Sequence, residues 1–148
     1  MALRIPIPAV LCGRLTTVGK AVSQSLRPEF EVIHFINSPA AAHAELPRLF
    51  AGQHPQPAAP NDIGTANFAQ PPRVVIFGRG YSPEFARELK SATADSVQMP
   101  VAWVAGEPSK APSAPPAPGY TEKLAGEVKG VLATWMEEGG LQDAFILY

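Results

Sequence analysis

Two arginines, Arg14 and Arg79, each follow a glycine directly, in the stretches Cys12-Gly13-Arg14 and Phe77-Gly78-Arg79. A guanidinium is a planar fork of donors that matches a carboxylate or phosphate, so two of them converging would clamp an anion. Thr16, Thr17 and Gly19 follow the first arginine, Gly80 and Tyr81 the second, and Asn37-Ser38 and Gly106-Glu107 stand in comparable settings. Glycines at Gly13, Gly78, Gly80 and Gly106 would let backbone amides approach a ligand, and a helix start near Thr17 would add partial positive charge. Arginines, a tyrosine hydroxyl and backbone donors together suffice to stabilise a developing oxyanion. Glu107 is the one carboxylate just beyond a strand end, where partial burial would raise its pKa toward general-base work. Against these readings stand plain ones: Arg14 and Arg79 as solvated turn residues, and Glu107 as a solvated loop acid.

Other chemistries find less support. A phosphate-binding P-loop needs four residues between its glycines and a hydroxyl after the lysine, whereas Gly13 and Gly19 have five residues between them and Lys20 precedes Ala21. No Gly-x-Ser-x-Gly elbow occurs, and His34, His43 and His54 lack metal-ligand spacing. No metal is expected. Cys12 is the only cysteine, so no intrachain disulfide forms, and it reads as a small buried residue at a strand end. The net charge of −1 and charged fraction of 17% leave no basic stripe for nucleic acid. Pro6 and Pro8 break the apolar N-terminal run, and no stretch approaches the roughly 20 apolar residues of a membrane span. A cytoplasmic protein is expected. With 46% hydrophobic residues, part of the surface is apolar enough to be covered by a second copy, and a homodimer is expected.

The elements that must position these residues alternate along the chain. Apolar strands are expected at residues 9–12 (extended back to Ile5), 30–36, 73–77 and 101–105. Val18, Val22 and Leu26 mark a helix over 17–26. Ser38-Pro39 and Ser82-Pro83 each offer an N-cap hydroxyl followed by a proline suited to the first helical position. The helix after Ser38 contains Pro47, which predicts a kink or a shortening. Leu124, Val128, Val131 and Trp135 stripe a final helix over 120–138, on which Gly126 and Gly130 would form a notch for close packing against the sheet or a twin helix. The terminal AFILY reads as a fifth strand or a docking tail. Proline-rich loops fall at 52–61 and 107–119, the second with five prolines. One domain over 1–148 follows: an α/β protein, a three-layer α/β/α sandwich with a four- to five-stranded, mainly parallel sheet and right-handed crossovers. Ligands of such sheets sit beyond the C-terminal strand ends, where strand order reverses.

Gly13, Thr16 and Gly19 also stand at the three positions of a G-x-x-G-x-x-G turn. In this the chain resembles the NAD(P)-binding Rossmann-like superfamily, in particular the first βαβ unit of short-chain dehydrogenase and NmrA-like proteins, over about residues 5–80. The resemblance implies a dinucleotide pyrophosphate at the first helix, with NADP as the cofactor. The chain departs from the pattern at several places. Thr16 replaces the middle glycine, and Asn37-Ser38 supplies neither the acid for an NAD ribose nor a base for an NADP phosphate. Tyr120-Thr-Glu-Lys123 is one residue short of the family's Tyr-x-x-x-Lys, and the second half of a full dinucleotide fold is missing. The expectation is therefore a Rossmann-like or flavodoxin-like domain without a cofactor. It would bind an anionic or polar metabolite through Gly13, Arg14, Thr16, Thr17, Gly19, Asn37, Ser38, Gly78, Arg79, Gly80, Tyr81 and Gly106, acting as a cyclase, isomerase or hydrolase would. A dimeric scaffold or regulatory module and an NAD(P)-binding reductase are the alternatives.

Overall fold

The computed structural model describes residues 6–55, 63–110 and 119–148. Ile5 and most of the two proline-rich loops lie outside the described residues. The order of elements is β1 (Ile7–Cys12), α1 (Thr16–Ser25), β2 (Phe30–Ile36), α2 (Pro39–Phe50), β3 (Val74–Phe77), α3 (Pro83–Ala92), β4 (Ala102–Ala105), a 3₁₀ turn (Pro108–Lys110), α4 (Tyr120–Glu137) and β5 (Ala144–Leu147).

Local chemistry sets the helix starts. Ser38 Oγ accepts from the Ala41 amide and Ser82 Oγ from the Phe85 amide, each at 3.1 Å, with proline at the next position in both. α1 differs: its N-cap is Leu15, with no side-chain cap hydrogen bond. α2 runs through Pro47 to Phe50, and the Pro47 carbonyl accepts the Ala51 amide. The expected shortening does not occur, because a proline this close to the helix end forfeits a single ladder bond while its own carbonyl stays in use.

The sheet is wholly parallel, in the order β2-β1-β3-β4-β5. β1 lies between β2 and β3, with Cys12 opposite both Ile36 and Phe77. Strand order reverses between β1 and β3, as in flavodoxin-like sheets. The terminal AFILY is an edge strand, β5, followed by a buried Tyr148. Its approach is held from outside the strand: Asp143 Oδ1 accepts the Val101 amide at 2.9 Å, and Trp135 Nε1 donates to the Gln142 carbonyl at 2.7 Å. Among the described residues, none of the helices is long and apolar enough to cross a membrane.

Side chains alternate between two apolar layers. Ile7, Ala9, Leu11, Val74, Ile76, Ala102 and Val104 face α1 and α4. Val10, Cys12, Val75, Phe77, Val101, Trp103 and Ala105 face α2 and α3. This makes the three-layer sandwich, and it corrects one expectation. α3 and α4 link strands that step across the sheet in the same direction, β3 to β4 and then β4 to β5, yet they lie on opposite faces. The two crossovers therefore have opposite hands, so right-handedness cannot hold for every connection. The physical allowance is length: residues 106–119 separate β4 from α4, against the roughly two to six residues of an ordinary βα turn. The glycine notch also takes no neighbour among the described residues. Gly126 and Gly130 are exposed, with open space where a Cβ would stand, because α4 turns Leu124, Ala125, Val128, Leu132 and Trp135 inward instead.

Candidate functional site

A hollow of about 370 Å³ opens at the reversal of strand order, beyond the C-terminal ends of β1 and β3. Leu11 of β1, Val18 and Val22 of α1, Phe35 of β2 and Leu124 of α4 form its walls, with Leu15 and Tyr120 at the two helix starts. Its rim is Gly13-Arg14 on one side and Gly78-Arg79-Gly80 on the other. The turns are tied together, since the Gly13 amide bonds the Ile36 carbonyl at 2.9 Å and the Gly78 amide bonds the Cys12 carbonyl at 2.8 Å.

The two arginines emerge at the same rim, and each folds back over a neighbouring turn. Arg14 lies across Gly80, where a Cβ would come within 2.9 Å of its Cδ, and its guanidinium sits 5.5 Å from the centre of the Tyr81 ring. Arg79 lies across Gly106, where a Cβ would meet its Cγ at 2.5 Å. Its guanidinium pairs with Glu127 of α4 at 2.6 Å and stacks 4.5 Å from the centre of the Tyr148 ring. Burial works to lower the Arg79 pKa, but the hydrogen bond to Glu127, with the Tyr148 and Glu127 charges, raises it above the ordinary value. Arg79 thus ties the loop after β3 to α4, one wall of the hollow to another.

The glycines of the G-x-x-G-x-x-G turn serve an aromatic ring. A Cβ on Gly19 would stand 2.4 Å from Phe35 Cε1, and one on Gly13 would stand 3.2 Å from the same atom. The pattern is that of close helix-to-strand packing, the role of the third glycine in dinucleotide turns.

Gly13, Arg14, Gly19, Gly78, Arg79 and Gly80 line the hollow; Thr16, Thr17, Asn37, Ser38, Tyr81, Gly106 and Glu107 do not. Thr16 and Thr17 are exposed on the first turn of α1, and Asn37 is exposed after β2. The Ser38 hydroxyl is committed to capping α2. Glu107 bonds the Tyr148 carbonyl through its amide at 2.8 Å. Tyr81 turns to the opposite layer, its ring stacked on Phe85 at 5.6 Å. Its hydroxyl is buried with no partner among the described residues, and burial pushes its pKa up to about 12, with Cys12 adding to the rise and Arg14 opposing it. Burial likewise raises the Cys12 thiol, with the Glu45 charge adding to it, so the thiol stays protonated in the α2–α3 layer. His34, on β2, pairs with Glu45 of α2, which satisfies both polar groups inside that layer. No cluster of three or more metal-binding side chains occurs among the described residues.

Residue patterns alone pass over Phe35, Val18, Val22 and Leu124 as part of a site. They read as core, and their stripes carry the same signal whether they meet another side chain or an empty space. Glu127 carries no mark of its own either, since its partner lies 48 positions away.

No family model matches the chain, and no solved structure matches it. Over 136 residues, 91% of this chain and 81% of its relative, it is 32% identical to Kojic acid related protein 6 of Aspergillus oryzae. At that identity and that coverage of both chains, this protein belongs to the family of Kojic acid related protein 6.

Proposed function

We propose that the protein binds a small, largely apolar ligand in the hollow between α1, α4 and the ends of β1 and β3. One observation carries this reading: an open cavity of about 370 Å³ with apolar walls at the point where strand order reverses. Its volume falls in the roughly 300–1,000 Å³ range of small-molecule sites, and its place is where open α/β sheets hold their ligands. The ligand differs from the anion that the two arginines suggest. Arg79 is already paired with Glu127, so an added carboxylate at that side of the rim would lose water and meet a guanidinium whose charge is balanced. A dinucleotide is disfavoured as well, because the Ser38 hydroxyl after β2 is occupied as a helix cap and no acidic residue stands there for a ribose.

Binding is tested by thermal melting against a panel of small aromatic and heteroaromatic compounds, with NADH and NADPH included. Kojic acid belongs in that panel because the relative carries its name. A ligand at about 100 times its Kd stabilises the folded chain by about 2.7 kcal/mol. Leu124→Trp, which fills the hollow with an indole, abolishes that shift. Failure of every small aromatic compound to shift the wild type, or a shift unchanged in Leu124→Trp, refutes the proposal.

A further inference from the structure

The sheet has two outer strands, β2 and β5, and their edges are treated differently. The β2 edge is covered. The Thr65 and Ala66 amides bond the Val32 and Ile33 carbonyls, each at 3.0 Å, and Gly64 lies directly against the backbone of Ile33 and His34. The β5 edge has no such cover among the described residues. The Ala144 and Tyr148 amides bond the Val101 and Ala105 carbonyls on the β4 side. Backbone alternation then turns the amides and carbonyls of Phe145 and Leu147 outward, where no described residue meets them. The strand itself, AFIL, has no lysine, proline or inward charge of the kind that blunts an exposed edge. Apolar surface gathers there too. Of the four large apolar side chains exposed among the described residues, three lie along or beside this edge: Leu147, Leu141 and Met99, the last next to Asp143.

We propose that the β5 edge is where two copies of this chain join, through an antiparallel β5–β5 pair across a two-fold axis that makes one continuous sheet. The outward amides and carbonyls call for another strand, since a strand backbone supplies acceptors and donors at the same repeat. A second copy fits that role. Because β2 is covered, a copy cannot add head to tail onto the opposite edge, so β5 meets β5 and the assembly closes at two. With Ile146 on the axis, Phe145 of each copy stands opposite Leu147 of the other, and the outward groups of both residues are paired. Phe145 packs on the α2–α3 side and Ile146 on the α1–α4 side, so the pairing is apolar on both faces. Charge agrees as well. The Arg87 guanidinium lies 4.4 Å from the centre of the Phe145 ring, so α3 flanks the edge. The two-fold axis sets its first turn, with Glu84, toward the last turn of the other copy, with Lys90. None of this depends on the hollow.

The test is sedimentation velocity of the full chain over a dilution series, with hydrogen exchange of the segment 141–148 followed by mass spectrometry. Wild type passes from monomer to dimer with rising concentration and goes no further, and the segment exchanges more slowly in the dimer than in the monomer. Leu147→Lys changes an exposed side chain and weakens the dimer about tenfold or more, because symmetry counts the lost apolar pair twice. Leu147→Pro removes an outward amide that no bond within the described chain uses, and has the same effect. Gly126→Leu, on the exposed side of α4, leaves the dimer unchanged. A wild type that stays monomeric up to about 1 mM, which leaves the edge to a strand of another protein, overturns the proposal. Assembly beyond two copies overturns it as well, as does a dimer that survives both Leu147 variants. A dimer lost in Gly126→Leu puts the contact on the glycine notch of α4 instead and has the same consequence. Equal exchange of 141–148 in monomer and dimer decides against it on wild type alone, even where a variant folds poorly.

Discussion

At Gly19 the difference between a hydrogen and a methyl group decides how closely α1 can lie on β2. An alanine Cβ there would stand 2.4 Å from the Phe35 ring, so the ring or the helix has to shift to admit it. Gly19→Ala therefore destabilises the fold by about 1–3 kcal/mol, the usual cost of overpacking. Phe35→Leu in the same chain recovers part of that loss, and the two melting curves with the double variant measure the coupling. An unchanged melting temperature for Gly19→Ala sinks this account of the turn. The same geometry explains why the glycine spacing is legible in the sequence and its purpose is not. A backbone that must let something approach needs glycine whether the visitor is a phosphate or a phenyl ring.

The helices differ in how much of their position is written locally. α2 and α3 start where a serine hydroxyl takes an amide three residues on, an interaction contained within four residues of sequence. Ser38→Ala and Ser82→Ala each cost about 1 kcal/mol, and the double variant costs about the sum, because the caps serve separate helices. Urea midpoints of the three variants check this, and midpoints equal to wild type would show the caps to be redundant. α1 begins on Leu15 without such a cap, and its boundary still falls within a residue of where Val18, Val22 and Leu26 place it. α4 is the counterexample. Its periodic stripe announces a helix over nearly its full length, but the sheet face it covers is absent from that stripe. A long connection from β4 admits either face, and the α1 face is taken because the apolar sides of α1 and α4 cover the sheet together.

On the scale of the molecule, the interior holds three weak acids in their protonated forms. Burial raises Cys12, Tyr81 and Tyr148 above their ordinary values, and Tyr148 additionally donates its hydroxyl to the Phe77 carbonyl at 2.7 Å. The unfolded chain titrates first, its cysteine near ~8.5 and its tyrosines near ~10. Because the folded values lie higher, this contribution is fully present below the unfolded values and is lost as pH rises toward about 12, where Tyr81 ionises in the folded state. Denaturant midpoints thus fall steadily from near-neutral to strongly alkaline pH, and a profile flat to about pH 11 contradicts the burial of these groups. What the sequence by itself determined is what depends on neighbours in the chain: the alternation of strands and helices, the capped helix starts, and the strand-end glycines with their arginines. Only the tertiary structure decided that Arg79 meets Glu127, that Phe35 occupies the glycine turn, that α4 crosses to the α1 face, and that the rim encloses an apolar space. Hydrogen bonds and backbone preferences within a few residues leave a local trace in the choice of side chain, whereas a cavity is the space between surfaces that meet only when the chain has folded.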